Sequence, residues 1–249
     1  MLAGEQEQND STDCRGDCER RGVAAAPLPR RNLLAIGATA GALAVVGSTL
    51  AVPLAARAQT MKSPAEALQA LMDGNRRFVA RKLTFYQEDL AILQQNTAEK
   101  QEPFASVLSC ADSRVPVELI FDQSIGHVFV NRVAGNIATT EIIASIEYGA
   151  AVLGTRVIVV LAHRNCGAVK ATIDGKAVPG QISSLYRYIR PAVNQAGADL
   201  RAATEANAKI QAQLLKESSP VLGSLVKEGK LAIVAAFFDV QSGKVALLS

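Results

Sequence analysis

Tryptophan is absent from this chain of 249 residues, and all aromatic side chains together make up 4% of it. A protein that stacks nucleic-acid bases or sugar rings on its surface needs more aromatic side chains than this. The formal net charge is only +3, so the sequence lacks the basic stripe with which proteins bind a phosphate backbone. We therefore expect no nucleic-acid partner.

Cysteine and histidine are also scarce, with four and two residues. Four cysteines in a chain of this length do not make the dense disulfide framework of a miniprotein, and the chain is long enough to bury a core without one. The two glycine-rich phosphate loops, GxGxxG and Walker A, are absent from residues 59–249. Any metal or nucleophile chemistry must therefore use very few side chains.

A long uncharged segment lies near the start of the chain. Residues 33–56 carry no charged side chain and follow the pair Arg30 and Arg31, and residues 56–58 are Ala-Arg-Ala. An arginine pair, an apolar run and a small-x-small site in this order predict a cleaved signal peptide. The paired arginines resemble the twin-arginine export signal.

This signal predicts a boundary after residue 58. Residues 1–58 would be an export region that is removed together with Cys14 and Cys18, and residues 59–249 would be the functional domain. The protein would then be periplasmic or otherwise exported, with no stable membrane span left. Residues 33–56 also reach the roughly 20 residues that a spanning helix needs, so an uncleaved membrane anchor is the alternative.

Apolar runs and helical patterns alternate over the rest of the chain. Residues 156–162 form a β-branched run without polar alternation, which is typical of a strand buried on both faces of a parallel sheet. An amphipathic pattern at 141–153 lies between this run and the apolar run at 128–130, so the three segments predict a βαβ crossover. Further strands are predicted at 105–109, 231–240 and 244–248, and further helices at 182–196, 199–217 and 220–226. The expected fold is a single α/β domain with a mainly parallel sheet of four to five strands flanked by helices.

Another helix is predicted to begin just after Ser63. This residue, Pro64 and Glu66 form an N-cap, a proline at the first helical position and a capping-box glutamate. Apolar residues then recur at helical spacing as far as Val79. A looser helical pattern covers residues 86–97.

Three metal-capable side chains follow the ends of predicted strands. Cys110 follows the strand at 105–109, and His163 and Cys166 follow the strand at 156–162. Because the carboxyl ends of parallel strands meet at one edge of a sheet, we expect the three side chains to lie together. Two thiolates and an imidazole fill three tetrahedral positions of a zinc ion and leave the fourth open.

The residues around these side chains resemble the two signature segments of the β-class carbonic anhydrases. The segments are Cys-Ala-Asp-Ser-Arg-Val-Pro at 110–116 and His-Arg-Asn-Cys-Gly-Ala at 163–168. The resemblance extends from about Ser63 to the C-terminus and includes residues 74–78 (Gly-Asn-Arg-Arg-Phe), 121–123 (Phe-Asp-Gln), 129–136 (Phe-Val-Asn-Arg-Val-Ala-Gly-Asn) and 145–148 (Ser-Ile-Glu-Tyr). It implies reversible hydration of carbon dioxide to bicarbonate and a proton.

The resemblance implies one Zn²⁺ per chain, held by Cys110, His163 and Cys166, with zinc-bound hydroxide attacking carbon dioxide. Two thiolates cancel the charge of the ion, so the metal alone acidifies water less than it would among three histidines. Asp112 is expected to compensate by accepting a hydrogen bond from the hydroxide, and Arg114 to keep Asp112 ionised and directed. A surface ion pair of little energetic value is the alternative for these two residues.

In some members of this family, the aspartate that corresponds to Asp112 becomes a fourth zinc ligand when its arginine pair breaks, which closes the site. Gln101 precedes Cys110 by nine residues, where plant-like members have a glutamine that hydrogen-bonds substrate from the neighbouring subunit. The members that close use a tryptophan at an effector site, and tryptophan is absent here. Both clues favour an open site, and the sequence leaves closure by Asp112 undecided.

The same resemblance implies a small apolar pocket and a partner subunit. Phe129 and Ala134 match positions that line the carbon dioxide pocket, and Gly167 serves the backbone geometry after Cys166, where a side chain would crowd the metal. The N-terminal helices of this family wrap around a second subunit. The helix that follows Ser63 is therefore expected to pack on another chain, in a homodimer or higher homo-oligomer.

Other interpretations of the same residues stay open. Cys110 and Cys166 could form a disulfide in an oxidising compartment, and His127 could be a proton shuttle or an exposed loop residue. A hydrolase for carbon disulfide on the same fold would keep all of the site residues. A zinc-binding sensory or structural module, closed permanently by Asp112, would keep them without catalysis.

Overall fold

The structure is a computed structural model that describes residues 62–85, 95 and 97–249. The predicted export region at 1–58 and nearly all of the predicted helix at 86–97 lie outside the described residues. None of the helices within the described part of the chain is long and apolar enough to cross a membrane.

A five-stranded sheet forms the centre of the fold. Its strands are β1 (Ala105–Ser109), β2 (Val128–Arg132), β3 (Val157–His163), β4 (Ala232–Phe238) and β5 (Val245–Leu248). Their spatial order is β2-β1-β3-β4-β5. The first four strands are parallel to their neighbours, and β5 runs antiparallel to β4. The predicted single α/β domain with a mainly parallel sheet is confirmed.

Helices flank this sheet. Among the described residues they are α1 (Pro64–Val79), α2 (Val117–Ile120), α3 (Thr140–Glu147), α4 (Gly167–Asp174), α5 (Tyr186–Ala196), α6 (Leu200–Ser218) and α7 (Pro220–Lys227). The helix predicted at 141–153 is α3 followed by a π-helical turn at Tyr148–Val152, and the helix predicted at 182–196 begins as a 3-10 turn at Ile182–Leu185. The sequence did not predict α2 and α4, because neither helix has the side-chain cap that marks a start.

The neighbouring strands β1 and β3 are buried along their whole length. In β3, Val157, Val159 and Leu161 pack in one apolar cluster with Leu71 of α1. The alternate residues of the same strand pack in a second cluster that contains Leu215 of α6. Because successive side chains of a strand point to opposite faces, the sheet carries a helix layer on each side, as its unalternating apolar sequence predicts.

The capping box predicted at the start of α1 is present. The Ser63 hydroxyl accepts a hydrogen bond from the amide of Glu66 at 3.3 Å, and the Glu66 carboxylate accepts one from the amide of Ser63 at 2.7 Å. The apolar side of α1 is buried in its own chain at Ala67 and Leu71. Packing of this helix on a partner subunit stays a prediction.

Two consecutive residues fix α1 closely to the end of α2. A Cβ on Gly74 would lie 1.6 Å from the carbonyl oxygen of Phe121, so a residue with a side chain cannot approach this closely. Asn75 donates to the carbonyl of Ile120 at 3.1 Å and accepts from the amide of Val245 at 2.9 Å. These contacts connect the helix to both α2 and β5.

Arg77 adds an ion pair with the buried Asp122 to this attachment. Its Nε donates to the carboxylate of Asp122, which also accepts from the amide and hydroxyl of Thr84 and from the amide of Phe85. Burial acts to raise the pKa of Asp122, but the hydrogen bonds from Arg77, Phe85 and Thr84 outweigh it and lower that pKa. We call Gly74, Asn75, Arg77 and Asp122 the α1 anchor.

Candidate metal centre

Three metal-capable side chains meet at the carboxyl edge of the sheet. Cys110 follows β1 directly, His163 is the last residue of β3, and Cys166 is the N-cap of α4. β1 and β3 are parallel neighbours, with Ser109 opposite Leu161, so their ends bring the three residues together. The ligand atoms all lie within 4.8 Å of one another, and all three residues are buried.

The spacing of the two sulfurs fits a zinc ion. Sγ of Cys110 and Sγ of Cys166 are 4.0 Å apart, close to the separation of about 3.8 Å expected for two Zn–S bonds of about 2.3 Å at a tetrahedral ion. A disulfide bond is only about 2.05 Å long, and both cysteines are free. The structure therefore contains two unlinked cysteines here rather than the alternative disulfide.

The imidazole of His163 offers this group a nitrogen. Its Nδ1 lies 3.1 Å from the carbonyl oxygen of Arg164, and Nδ1 carries the proton in this bond because a carbonyl only accepts. Nε2 then keeps its lone pair, and this buried atom has no hydrogen-bond partner among the described residues. A buried polar atom without a partner is unfavourable unless something binds it. The tautomer and the orphaned nitrogen both fit a metal ligand.

The two cysteines differ in their hydrogen bonds. The Cys166 thiol donates to Sγ of Cys110 and lowers the pKa of Cys110, because the thiolate form accepts this bond, whereas burial acts to raise that pKa. The amide of Gly135 also donates to Sγ of Cys110, at 3.3 Å. The same thiol–thiolate bond, together with burial, raises the pKa of Cys166. The pair thus holds a proton that a divalent cation would displace, since metals bind thiolates.

Asp112 lies beside this group and is paired with Arg114. Nε of Arg114 donates to Oδ1 at 2.9 Å and Nη2 donates to Oδ2 at 2.7 Å, which makes a bidentate pair. The side-chain hydrogen bonds from Arg114 hold the pKa of Asp112 well below its ordinary value, against the effect of partial burial. Oδ2 of Asp112 is 3.8 Å from Nε2 of His163. We call Cys110, His163 and Cys166 the metal group. The Asp112 carboxylate borders this group, and Arg114 keeps the carboxylate ionised.

Further contacts connect the pair to the rest of the site. Nη2 of Arg114 donates to the carbonyl of Asn165 at 3.2 Å, which joins the two signature segments. Arg132 donates to the carbonyl oxygens of Cys110 at 3.1 Å and Asp112 at 2.7 Å. The role of Arg132 is not predictable from the sequence, because its position at the end of β2 matters only once β2 lies beside β1. An isolated surface ion pair would lack these contacts.

Known proteins resemble this chain over most of its length. The model of the carbonic anhydrase family matches residues 105–245, which is more than half of the chain. The chain belongs to the carbonic anhydrase family. Its relatives include a carbonic anhydrase of Mycolicibacterium smegmatis, 35% identical over 75% of this chain and 94% of that protein. Carbonic anhydrase 2 of Mycobacterium tuberculosis is 32% identical over 74% of this chain and 93% of that protein.

Solved structures place the fold among the β-carbonic anhydrases. A β-carbonic anhydrase of Aspergillus fumigatus has a TM-score of 0.61 and 25% identity, and the match covers 73% of this chain and 90% of that one. One of two tetrameric β-carbonic anhydrases from Sordaria macrospora also has a TM-score of 0.61, with 21% identity over 74% of this chain and 98% of that one. The prediction that this protein is a carbonic anhydrase is confirmed.

The substrate-binding residues predicted for this carbonic anhydrase are divided between the two ends of the parallel strands. Phe129 is half-buried on β2, with its ring centroid 6.2 Å from that of Tyr148. Ala134 is half-buried in the loop after β2, next to Gly135. Gln101 is exposed and lies before the amino end of β1, on the side of that strand away from the metal group. Contacts of Phe129, Ala134 and Gln101 with substrate stay predictions.

Gly167 is the first residue of α4 and is exposed. A Cβ built on it has no heavy atom within 4 Å, and its φ lies outside the left-handed region. The expectation that backbone geometry requires glycine here is therefore wrong, because neither packing within the chain nor the backbone demands it. Room for a metal or substrate is the reason that remains, and it stays a prediction.

His127 lies at the opposite edge of the sheet from the metal group. It immediately precedes β2, and its ring centroid is 6.3 Å from that of Phe104, which precedes β1. A strand of five residues is about 16 Å long, and β1 separates these rings from Cys110. The alternative of His127 as a proton shuttle is therefore wrong for the metal group of its own chain.

Proposed function

We propose that this protein catalyses the reversible hydration of carbon dioxide to bicarbonate and a proton, with one Zn²⁺ per chain held by Cys110, His163 and Cys166. One observation carries this proposal. Two sulfurs and an imidazole are buried with their ligand atoms within 4.8 Å of one another, and Nε2 of the imidazole has no hydrogen-bond partner among the described residues. The neighbouring Asp112 carboxylate is paired with Arg114 and is not part of this group. Three ligands with an open fourth position are the arrangement of a catalytic zinc site rather than a structural one.

The residues around the open position have different roles in the proposed reaction. A bound zinc ion supplies a Lewis acid that lowers the pKa of water and so makes a nucleophile available at neutral pH. Oδ2 of Asp112 accepts a hydrogen bond from the attacking water and orients it, and it cannot donate because its lowered pKa keeps it ionised. Arg114 and Arg132 hold the carboxylate and the main chain of Asp112 in place. Removal of either contact would loosen that orientation.

The substrate side of the proposal follows from the polarity of carbon dioxide. Carbon dioxide has no net dipole, so an apolar surface beside the nucleophile suits it better than charged groups do. Phe129 and Ala134 are the proposed apolar residues, and the absence of a side chain at Gly167 leaves space beside Cys166. Gln101 is proposed to bind substrate from a partner subunit, since it lies on the far side of β1 from the metal group of its own chain.

Assembly and location are further parts of this proposal. We propose a homodimer or a higher oligomer in which α1 also contacts a partner, and the Sordaria macrospora protein of similar fold is described as tetrameric. Export to the periplasm or beyond is proposed from the sequence of residues 1–58, which carries the twin-arginine-like pair and the cleavage pattern. A membrane anchor made by an uncleaved segment is the alternative outcome of a fractionation experiment.

The decisive experiment is stopped-flow hydration of carbon dioxide by zinc-loaded protein spanning residues 59–249, from pH 6.5 to 9. We expect activity that rises with pH, is abolished when a chelator removes the metal, and returns when Zn²⁺ is added back. Zinc-loaded protein without hydration activity at any pH would overturn the proposal. A closed zinc module, or a hydrolase that is then tested directly on carbon disulfide, would take its place.

A further inference from the structure

The amide of Gly135 is held against the sulfur of Cys110. The N–H donates to Sγ at 3.3 Å in a buried position. Gly135 has a φ of 80°, in the left-handed region, and a Cβ there would lie 2.7 Å from Cδ1 of Ile189. Glycine is therefore needed for residues 133–138, the loop after β2, to bring this N–H to the sulfur. How the loop is held then decides where the N–H points.

Two amide side chains of α6 bind this loop. Nδ2 of Asn207 donates to the carbonyl of Gly135 at 2.9 Å, and Oε1 of Gln211 accepts from the amide of Ala138 at 2.8 Å. Nε2 of Gln211 also donates to Oδ1 of Asn207 at 3.3 Å. The two residues are one helical turn apart, so together they hold the main chain of the loop at two points.

The burial of these amides is unusual for their position. Asn207 is 0% exposed and Gln211 is 1% exposed. Their buried neighbours on α6 include Ala203, Ala208 and Leu215, which are apolar as expected for a helix packed on a sheet. A buried amide is unfavourable unless its hydrogen bonds are made. The two amides bond to the main chain of the loop that carries Gly135 and to each other, and Nε2 of Gln211 also donates to the carbonyl of Tyr188 on α5 at 3.1 Å.

We infer that Asn207 and Gln211 are positioning residues of the metal site, which hold the loop so that the Gly135 amide donates to Cys110 as a thiolate ligand. A hydrogen bond to a ligating sulfur stabilises the negative charge on that sulfur and tunes its bond to the metal. The inference rests on the proposed zinc site and extends it to a helix that contributes no ligand. It predicts that substitutions on α6 change the binding of the metal although no side chain of α6 is a ligand.

The test uses two variants and one matched control in the full chain. Asn207→Leu removes the donor to Gly135, and Gln211→Met removes the acceptor for Ala138 with little change of side-chain volume. Thr204→Val is the control, because Thr204 is also buried on α6 but its hydroxyl donates to the carbonyl of Leu200 in the same helix. Asn207→Ala serves in place of Asn207→Leu if the larger side chain prevents folding.

Two measurements report on the metal independently of activity. The dissociation constant of Zn²⁺ is obtained by competition with a chelator, and Co²⁺ is substituted to follow the sulfur-to-cobalt charge-transfer band. We expect Asn207→Leu and Gln211→Met each to weaken Zn²⁺ binding about tenfold, as loss of outer-sphere partners does. The band should shift to longer wavelength, because a sulfur without its N–H donor gives up electron density more easily. Thr204→Val should change neither quantity.

The double variant adds a second criterion. If both side chains act through the same loop, the combined loss of zinc affinity is smaller than the product of the two single losses. Unchanged zinc affinity and an unchanged band in both single variants would overturn the inference, as would an equal loss in Thr204→Val. A wild-type chain that binds no Zn²⁺ would instead overturn the proposed zinc site itself, so the two failures are distinguishable.

Discussion

Two aspartate–arginine pairs in this chain share their chemistry and differ in their surroundings. Asp112 and Arg114 are two residues apart at the carboxyl edge of the sheet, and their side chains are 18% and 46% exposed. Asp122 and Arg77 are far apart in the chain, and the Asp122 side chain is 0% exposed. The pKa of Asp112 is lowered by its bonds to Arg114, and that of Asp122 is lowered by its hydrogen bonds despite burial.

The two pairs differ in the groups that surround each carboxylate. Both oxygens of Asp122 accept from protein donors on Arg77, Thr84 and Phe85, so this carboxylate is fully used in attaching α1. Oδ2 of Asp112 accepts from Arg114 and also lies 3.8 Å from Nε2 of His163. A lowered pKa is therefore shared by a structural and a catalytic candidate, and only the neighbouring groups tell them apart.

Replacing the partly buried Asp112 should have the largest effect on activity. Asp112→Asn keeps the shape but removes the charge that Arg114 holds and that we propose orients the nucleophile, so we expect kcat/KM for carbon dioxide hydration to fall roughly 10²- to 10³-fold. The free energy of unfolding should change by less than about 1 kcal/mol, because the pair is partly exposed. Stopped-flow kinetics and urea unfolding measure the two quantities. Equal activity in wild type and variant, at equal zinc content, would contradict the assigned role.

Gly74→Ala should have the largest effect on stability at the α1 anchor. The added Cβ would overlap the carbonyl oxygen of Phe121, a main-chain atom that cannot rotate away. We expect a loss of about 3 kcal/mol in the free energy of unfolding, at the upper end for overpacking. Urea unfolding measures it, and the activity of the protein that remains folded and zinc-loaded should equal that of wild type. A free energy of unfolding within about 0.5 kcal/mol of wild type, the usual range for a surface substitution, would contradict this contact.

Arg77→Met should destabilise the protein without affecting catalysis. It leaves the buried Asp122 carboxylate without its charged partner, and we expect a loss of about 2 kcal/mol, less than for a fully buried pair because Thr84 and Phe85 still donate. The matched control is Arg76→Met, since Arg76 pairs with Asp73 on the exposed side of the same helix. That variant should lose less than about 0.5 kcal/mol. Equal losses in the two variants would remove the distinction between buried and exposed pairs.

The smallest effect is expected in the acid stability. The folded pKa of Asp122 is lowered, so its contribution is complete above the unfolded value of about 3.9 and is lost as pH falls below it. Wild type should lose stability between pH 5 and pH 3, and Asp122→Asn should lose less over that interval. Unfolding curves at pH 5, 4 and 3 give the comparison. Parallel losses in both proteins would show that Asp122 does not contribute to the acid sensitivity.

Segments defined by their own residues were predicted well. The strand at 105–109 has the predicted bounds, and the capping box of Ser63 and Glu66 begins α1 as expected. Apolar runs and caps involve residues close in sequence, so a single sequence contains the information. The short helix α4 was missed because it lacks a side-chain cap. The helix at 141–153 was predicted correctly in position, but its last turn is π-helical.

The candidate site was predictable only in part. Cys110, His163 and Cys166 could be named because each follows a predicted strand, and parallel strand ends share an edge. The roles of Arg132 and Gly135 could not be predicted, since both depend on contacts with Cys110, which is distant from them in the sequence. The same holds for Asn207 and Gln211, which look like ordinary polar positions on a long helix until the helix is packed.

The sequence by itself determined the family, the order of the strands and of most helices, and the identity of the metal-capable residues, because these depend on local patterns and on short motifs. The tertiary structure decided which hydrogen bonds reach the Cys110 sulfur, that Asp112 is held beside the metal group, and that Asp122 is buried while Asp112 is not. Such contacts join residues far apart in the chain. Their geometry is set by how helices and strands pack against one another, and no local pattern contains it.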